Sequence, residues 1–315
     1  MKKTILTLLI SIFCLGIFSF LFSLSNNNVK SHVGGSTSNI NSEPAKLPLS
    51  ESSSLTASLN PNFIPIRDWS IEEVEIKAKA AAIFDLDGDK FLYQKNIKEK
   101  LPIASLTKIM TALVALDNLE LEKMVTISKK AVMTEGENGH LEIGEKLNIR
   151  NLLYIMLMES SNDAAVSLAG STNIDFIALM NEMAKNLEME NTHFVDPTGI
   201  NQGNYSTISD LIRLVEYSFS RPLIWQIFSL AETDIYSQNG ELIHHLLNTN
   251  KLLKEIPEMV GGKTGWTEEA NGCMLTMVKI LEKPGKYLIT IILGSENREL
   301  ETKKLIEWAQ EAYLW

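Results

Sequence analysis

A chain of 315 residues with 45% hydrophobic content can bury one large core or two small ones. A formal charge of −10 without clustered Lys and Arg excludes a nucleic-acid binder, because neutralising a phosphate backbone needs concentrated positive charge. Two cysteines, Cys14 and Cys273, exclude a disulfide framework, and the five histidines are scattered with no i, i+4 pair, so no metal site is expected.

The chain opens "MKKTILTLLISIFCLGIFSFLFSLS", in which Lys2 and Lys3 precede about 21 mainly apolar, uncharged residues, a secretory signal long enough to cross a bilayer. Ser23 and Ser25 fit a cleavage site after Ser25, whereas the length of the run favours a retained anchor. Residues 1–25 are therefore expected to be a signal sequence or an N-terminal membrane anchor, with Lys2 and Lys3 in the cytoplasm and the rest of the chain outside it. Cys14 follows Ile12 and Phe13, which are too large for a lipidation signal. Residues 26–66 are rich in Ser, Asn and Pro and read as a disordered linker with a reach of about 35 Å. A globular pattern runs over residues 67–315.

"KAKAAAIFDLDGDKFLYQKN" reads as two strands joined at Asp87-Gly88. Asp85, Asp87 and Asp89 have the spacing of a calcium loop, but Lys90 and Asn96 stand where such a loop needs Gly and Glu. In "PIASLTKIMTALVALD", Leu106, Ile109, Met110, Leu113 and Val114 follow a helical period, and Ala104, Ala112, Ala115 and Leu116 fill the rest, so this helix is buried nearly all round. Helical signals continue through "LNIRNLLYIMLM", "IDFIALMNEMAKNLEM" and "STISDLIRLVEYSFS", the last capped by Ser206 or Thr207, to about Ser229. "CMLTMVKIL" and "KYLITIILG" flank "EKPG" as an antiparallel pair, and "ELETKKLIEWAQEAYL" closes the chain as a helix. The expected fold is α+β: an antiparallel sheet, holding the first and last strands together, flanked by helices, plus an all-helical part from the middle of the chain.

Lys108 is an anomaly in that buried helix, since an unpaired buried charge costs several kcal/mol and commonly ends in loss of the proton. Ser105 lies at the first turn, where free N–H groups and the helix dipole favour negative charge, and Lys108 follows on the same side. Desolvation favours the neutral amine, which could take the serine proton. Taken alone, Ser105 could be a cap and Lys108 a snorkelling surface lysine. Two further motifs decide otherwise: "ESSNDAA" supplies Ser160, Ser161 and Asn162, and "VGGKTGWT" supplies Lys263, Thr264 and Gly265. Ser-x-x-Lys, Ser-x-Asn and Lys-Thr-Gly in that order form the signature of penicillin-binding proteins and class A β-lactamases. Acyl transfer through serine needs a base, a proton route to the leaving amine and oxyanion donors. Ser160 can relay the proton, Asn162 can hold the lysines and the substrate amide, Lys263 adds positive potential and Thr264 offers a hydroxyl to a carboxylate. Gly265 lets substrate lie along the strand edge, and the backbone N–H groups of Ser105 and Trp266 would form the oxyanion hole.

With these residues the chain resembles the serine-type D-alanyl-D-alanine carboxypeptidases, the low-molecular-weight penicillin-binding proteins, over roughly residues 70–315. "THFVDPTGINQGNYSTISDLIRL" and "GGKTGWTEEANGCML" extend the resemblance. It implies a β-lactamase/transpeptidase-like fold with the site between sheet and helical subdomain, no cofactor, peptidoglycan pentapeptide as substrate and β-lactams as covalent inhibitors. It also implies that Arg298 helps bind the substrate's terminal carboxylate. Many relatives continue into a β-rich domain and a membrane helix, whereas this sequence ends at Trp315, leaving the N-terminal run as the expected anchor. Two other activities compete. A class A β-lactamase needs a deacylating glutamate in a loop spelled Glu-x-x-Leu-Asn; Glu182 and Asn186 have the spacing, but Lys185 replaces the leucine and the pair lies in an amphipathic helix. A non-catalytic wall-binding module would have no reason to keep Ser105, Lys108 and Ser160 together.

Overall fold

Successive residues of a strand point to opposite faces, so the unbroken apolar run "AAAIF" requires cover on both sides. The computed structural model, which describes residues 65–136, 140–236, 241–280, 283 and 285–315, supplies it. Strands β1 (Ala80–Asp85), β2 (Lys90–Lys95), β3 (Met259–Thr267), β4 (Asn271–Lys279) and β5 (Tyr287–Ser295) form one antiparallel sheet in the order β3-β4-β5-β1-β2. The first and last strands are neighbours, with Ile83 opposite Thr290. Ala80, Ala82, Phe84, Leu275, Ile289 and Ile291 face a large core shared with the helices, while Ala81, Ile83, Met274, Leu288 and Ile292 face a second core under the C-terminal helix.

Besides a one-turn helix at Lys129–Val132, the helices among the described residues are α1 (Thr107–Asn118), α2 (Ile149–Met158), α3 (Asn162–Ala169), α4 (Phe176–Asn186), α5 (Ile208–Ser218), α6 (Pro222–Phe228) and α7 (Arg298–Ala312). Helix α1 is buried from Thr107 to Ala115 and packs against α2, α3 and α4. Asn148, Ser161, Asp175, Thr207 and Asn297 cap α2, α3, α4, α5 and α7 with side-chain oxygens, each accepting a backbone N–H of the first turn.

The middle of the chain is less purely helical than its periodicity suggests. Leu101–Pro102 pairs with Tyr205–Ser206, and Met124–Thr126 with Lys146–Asn148. A hairpin follows α6, with Glu232–Tyr236 against Leu242–Leu247. The first two pairs are too short to show alternation, and the hairpin is mostly exposed, so apolar period carries no signal there. Ile66–Arg67 pairs with Tyr313–Leu314, placing Ile66 in the folded unit one residue ahead of the boundary read from composition. The expected anchor and nearly all of the expected linker lie outside the described residues, as does part of "EKPG". Among the described residues no helix is long and apolar enough to cross a membrane, and no group of His, Cys, Asp and Glu could hold a metal. Burial pushes the Cys273 thiol up to about 11, so it is held protonated.

Glu301 fixes the start of α7, which carries Arg298. Its buried carboxylate accepts hydrogen bonds from the backbone N–H groups of Lys77 and Ala78 and from the Ser295 hydroxyl, tying helix, β5 and the irregular segment leading into β1 together. Removing an acceptor from three buried donors costs on the order of 3 kcal/mol. Glu301→Ala is therefore expected to lower the unfolding free energy, read by denaturant titration, by that amount, with Glu301→Gln losing less; equal stability of Glu301→Ala and the wild type would show that the three donors are satisfied otherwise.

Candidate active site

The serine of the first motif sits on a 3-10 turn, Ala104–Leu106, that runs directly into α1. In a 3-10 turn residues i and i+3 eclipse, and the turn brings Ser105 and Lys108 together. Lys108 Nζ lies 2.8 Å from Ser105 Oγ, 2.8 Å from Asn162 Oδ1 and 2.8 Å from the Thr198 carbonyl oxygen. Lys108 is 0% exposed, whereas Ser105 is half-buried and so accessible to substrate. Two of these partners are carbonyl oxygens that only accept, and the third is a hydroxyl that can donate. Lys108 Nζ donates to each of the three.

The second motif occupies the corner between α2 and α3. Ser160 takes φ +64, a left-handed conformation that a non-glycine residue adopts at a cost, and its hydroxyl is buried with no hydrogen-bond partner among the described residues. Ser161 caps α3, and Asn162, its first residue, donates from Nδ2 to the Glu135 carbonyl while its Oδ1 accepts from Lys108. Asn162 thus has both ends of its amide fixed.

The third motif lies inside β3, on an edge of the sheet. Gly265 lets that edge approach the serine: a Cβ there would come 2.8 Å from Ser105 N. The backbone of Trp266 follows at once, so the two donors expected for an oxyanion hole belong to adjoining segments; the Trp266 side chain itself is 62% exposed. Lys263 is buried and donates to the Thr264 carbonyl, and the Thr264 hydroxyl donates to Thr249 Oγ1 at 2.8 Å. Arg298 reaches this strand from α7, its Nη1 donating to the Gly265 carbonyl at 2.6 Å and its Nε to Glu299.

The structure thus brings Ser105, Lys108 and Asn162 into one hydrogen-bonded group and lays Lys263, Thr264 and Gly265 along the strand facing it. Glu182 and Asn186 are elsewhere. Both are exposed on α4 and line a groove with Val114, Asp117 and Asn118 at the C-terminal end of α1, a helix about 18 Å long whose other end adjoins Ser105.

Three participants were not read from the sequence. Thr198 and Glu135 act through backbone carbonyls, which carry no side-chain signature. Thr198 is nevertheless held by a recognisable turn: the Asp196 carboxylate accepts from the N–H groups of Thr198, Gly199 and Asn201. Gly199, at φ +89, is required there because a Cβ would lie 2.0 Å from the Ala104 carbonyl oxygen. Thr249 is the third, and only tertiary contact reveals it.

A family model for D-alanyl-D-alanine carboxypeptidase (Peptidase_S11) matches residues 68–297. The chain is 32% identical over 253 residues to the D-alanyl-D-alanine carboxypeptidase DacF of Bacillus subtilis (strain 168), covering 76% of this chain and 64% of that relative's length. It is 33% identical over 244 residues to a D-alanyl-D-alanine endopeptidase of Escherichia coli (strain K12), covering 75% of this chain and 78% of the relative. Among solved structures, the Streptomyces K15 DD-transpeptidase superimposes with a TM-score of 0.69 at 31% identity, covering 76% of this chain and 98% of the other. The serine, lysine and asparagine of the first two motifs are gathered under a Lys-Thr-Gly edge strand within the matched region, and the chain belongs to the D-alanyl-D-alanine carboxypeptidase family, peptidase S11.

Proposed function

We propose that this protein is a serine D,D-carboxypeptidase that removes the terminal D-alanine from peptidoglycan stem peptides through an acyl-enzyme on Ser105. The observation that carries this reading is the Lys108 amine, buried 2.8 Å from Ser105 Oγ with carbonyl oxygens on its other two sides. The amine takes the serine proton as Oγ attacks the carbonyl carbon of the penultimate D-alanine. The N–H groups of Ser105 and Trp266 receive the oxyanion. Ser160, whose buried hydroxyl is not committed elsewhere, passes the proton to the leaving amine, and the C–N bond breaks to release D-alanine. Water then enters the site and hydrolyses the ester by the same proton route in reverse. Thr264 and Arg298 hold the substrate's terminal carboxylate, with Lys263 adding positive potential.

Endopeptidase action is the second reading, favoured by the relatives that carry that name. It uses the same acyl-enzyme and differs in the amine that leaves, the side chain of a cross-linked stem instead of free D-alanine. The apolar run in residues 1–25 and the composition of residues 26–66 support membrane attachment, or secretion after cleavage, with the catalytic unit outside the cytoplasm.

Mass spectrometry of the purified protein with a pentapeptide muropeptide separates these readings: loss of one alanine is expected, cleavage of a cross-linked dimer would mark the endopeptidase, and neither product would end both. Penicillin, a mimic of the D-Ala-D-Ala end, is expected to leave a stable ester on Ser105, and covalent labelling of Ser105→Ala at wild-type level would remove Ser105 from the mechanism. Lys108→Arg keeps the charge but cannot deprotonate, so acylation at neutral pH should be lost; near-normal acylation would reduce Lys108 to a structural role. Arg298→Ala should lower kcat/KM for a peptide with a free terminal carboxylate by roughly 10- to 150-fold, the worth of a charge-assisted hydrogen bond, and hardly affect an analogue esterified there. Equal losses on both would mean that its bond to the Gly265 carbonyl is its whole contribution.

A further inference from the structure

Residues 247–249, at the exit of the hairpin that follows α6, are stitched to the second motif. The Leu247 N–H donates to the Glu159 carboxylate at 3.4 Å, and the Thr249 N–H donates to the Met158 carbonyl at 3.0 Å, immediately before Ser160. The side chain of Thr249 turns the other way and meets the third motif, its Oγ1 accepting from the Thr264 hydroxyl. One residue therefore joins the two walls of the cleft.

A hydroxyl has one hydrogen, and in this structure that of Thr264 is given to Thr249. A carboxylate only accepts, so Thr264 must redirect its hydrogen when one arrives. Thr264 is 3% exposed, and a hydroxyl so buried loses stability if its oxygen is left without a donor. Thr249 resolves this because it carries a hydrogen of its own. The pair reverses, Thr249 donating to Thr264 and Thr264 to the carboxylate, with no hydrogen bond lost. A donor behind the donor also polarises it, which strengthens the bond to an anion.

We infer that Thr249 is a positioning residue for carboxylate recognition: the second hydroxyl of a two-hydroxyl arm, Thr249 to Thr264 to substrate, anchored through its backbone to the segment that carries Ser160. The inference rests on Thr264 as carboxylate ligand in the acylating site proposed above. It concerns only substrates or inhibitors that carry the anion, so an uncharged analogue gains nothing from the arm.

The test is the rate at which the full-length protein forms an ester on Ser105, followed by mass spectrometry, with benzylpenicillin and with its methyl ester, which lacks the negative charge. Covalent labelling accumulates with time, so the slower probe is measurable. Thr249→Val keeps the backbone bond to Met158 and removes the hydroxyl. It should slow labelling by benzylpenicillin about five- to tenfold, the size of one polarised hydrogen bond, and change the methyl ester by less than about twofold. Thr249→Ser should restore the wild-type preference for the charged probe, and Thr249→Ala serves in place of the valine variant if thermal melting shows that one to be unfolded. Equal slowing of both probes, no slowing of benzylpenicillin, or failure of Thr249→Ser to restore the preference would each overturn the assignment. No adduct on the wild-type protein would instead overturn the acyl-enzyme reading itself.

Discussion

The site is organised by one buried amine. Lys108 is fully buried in a helix otherwise surrounded by apolar side chains, where a bare charge would cost several kcal/mol. Three oxygens that it meets at 2.8 Å come from three separate segments: the 3-10 turn before α1, the first residue of α3 and the turn around Asp196. Each segment has its own fixing device. Ser161 caps α3, the Glu135 carbonyl locks the other end of the Asn162 amide, and the Asp196 carboxylate gathers the N–H groups of its turn. The helical half of the molecule can be understood as the scaffold that delivers two carbonyl oxygens and a hydroxyl to one nitrogen.

The sheet meets that scaffold at an edge, and the closeness is set by missing side chains. Gly265 on β3 and Gly199 on the Asp196 turn both press against Ala104–Ser105, where a methyl group would collide with backbone. Ala104 itself takes φ +47. Strain of this kind persists only where the surroundings over-determine it. Here it is pinned between a strand edge on one side and a carboxylate-bound turn on the other, leaving Ser105 in a fixed position between Lys108 and the β3 backbone. Preorganisation is what oxyanion stabilisation requires, since donors that must reorient during reaction lose much of their effect.

Much of this was legible in the sequence because it depends on side-chain type and period. The all-round apolar character of α1, the continuous apolar runs of β4 and β5, and the order of the three motifs are all such signals; they led to the sheet that joins first and last strands and to Ser105, Lys108, Asn162 and Lys263 as expected site residues. Three things were not legible, each for a physical reason. Strand pairs two or three residues long, such as Leu101–Pro102 with Tyr205–Ser206, have no period to detect. Carbonyl groups that receive a hydrogen bond, at Thr198 and Glu135, are present in every residue. Thr249 is one threonine among many until the fold sets it 2.8 Å from Thr264. The 3-10 start of α1 also lay beyond pattern reading, because its cause is the tertiary pinning of Ala104.

The electrostatics of the cleft follow from the same division. The protein carries a net charge of −10, which repels an anionic substrate at long range, although salt screens that field over about 10 Å. Attraction for a terminal carboxylate must therefore be local, and the structure concentrates it on one strand edge, with Lys263 buried within β3 and Arg298 brought against it from α7. In the reaction proposed above, Lys108 on the opposite wall serves as the base and so cannot also act as a permanent cation. The two walls differ accordingly: the helical wall holds the Lys108 amine among neutral oxygens, and the sheet wall holds Lys263 and the Arg298 guanidinium. A substrate bridging the two would place its carboxylate against the cationic wall and its scissile carbonyl beside the base, so binding energy gained at one end is spent on orientation at the other.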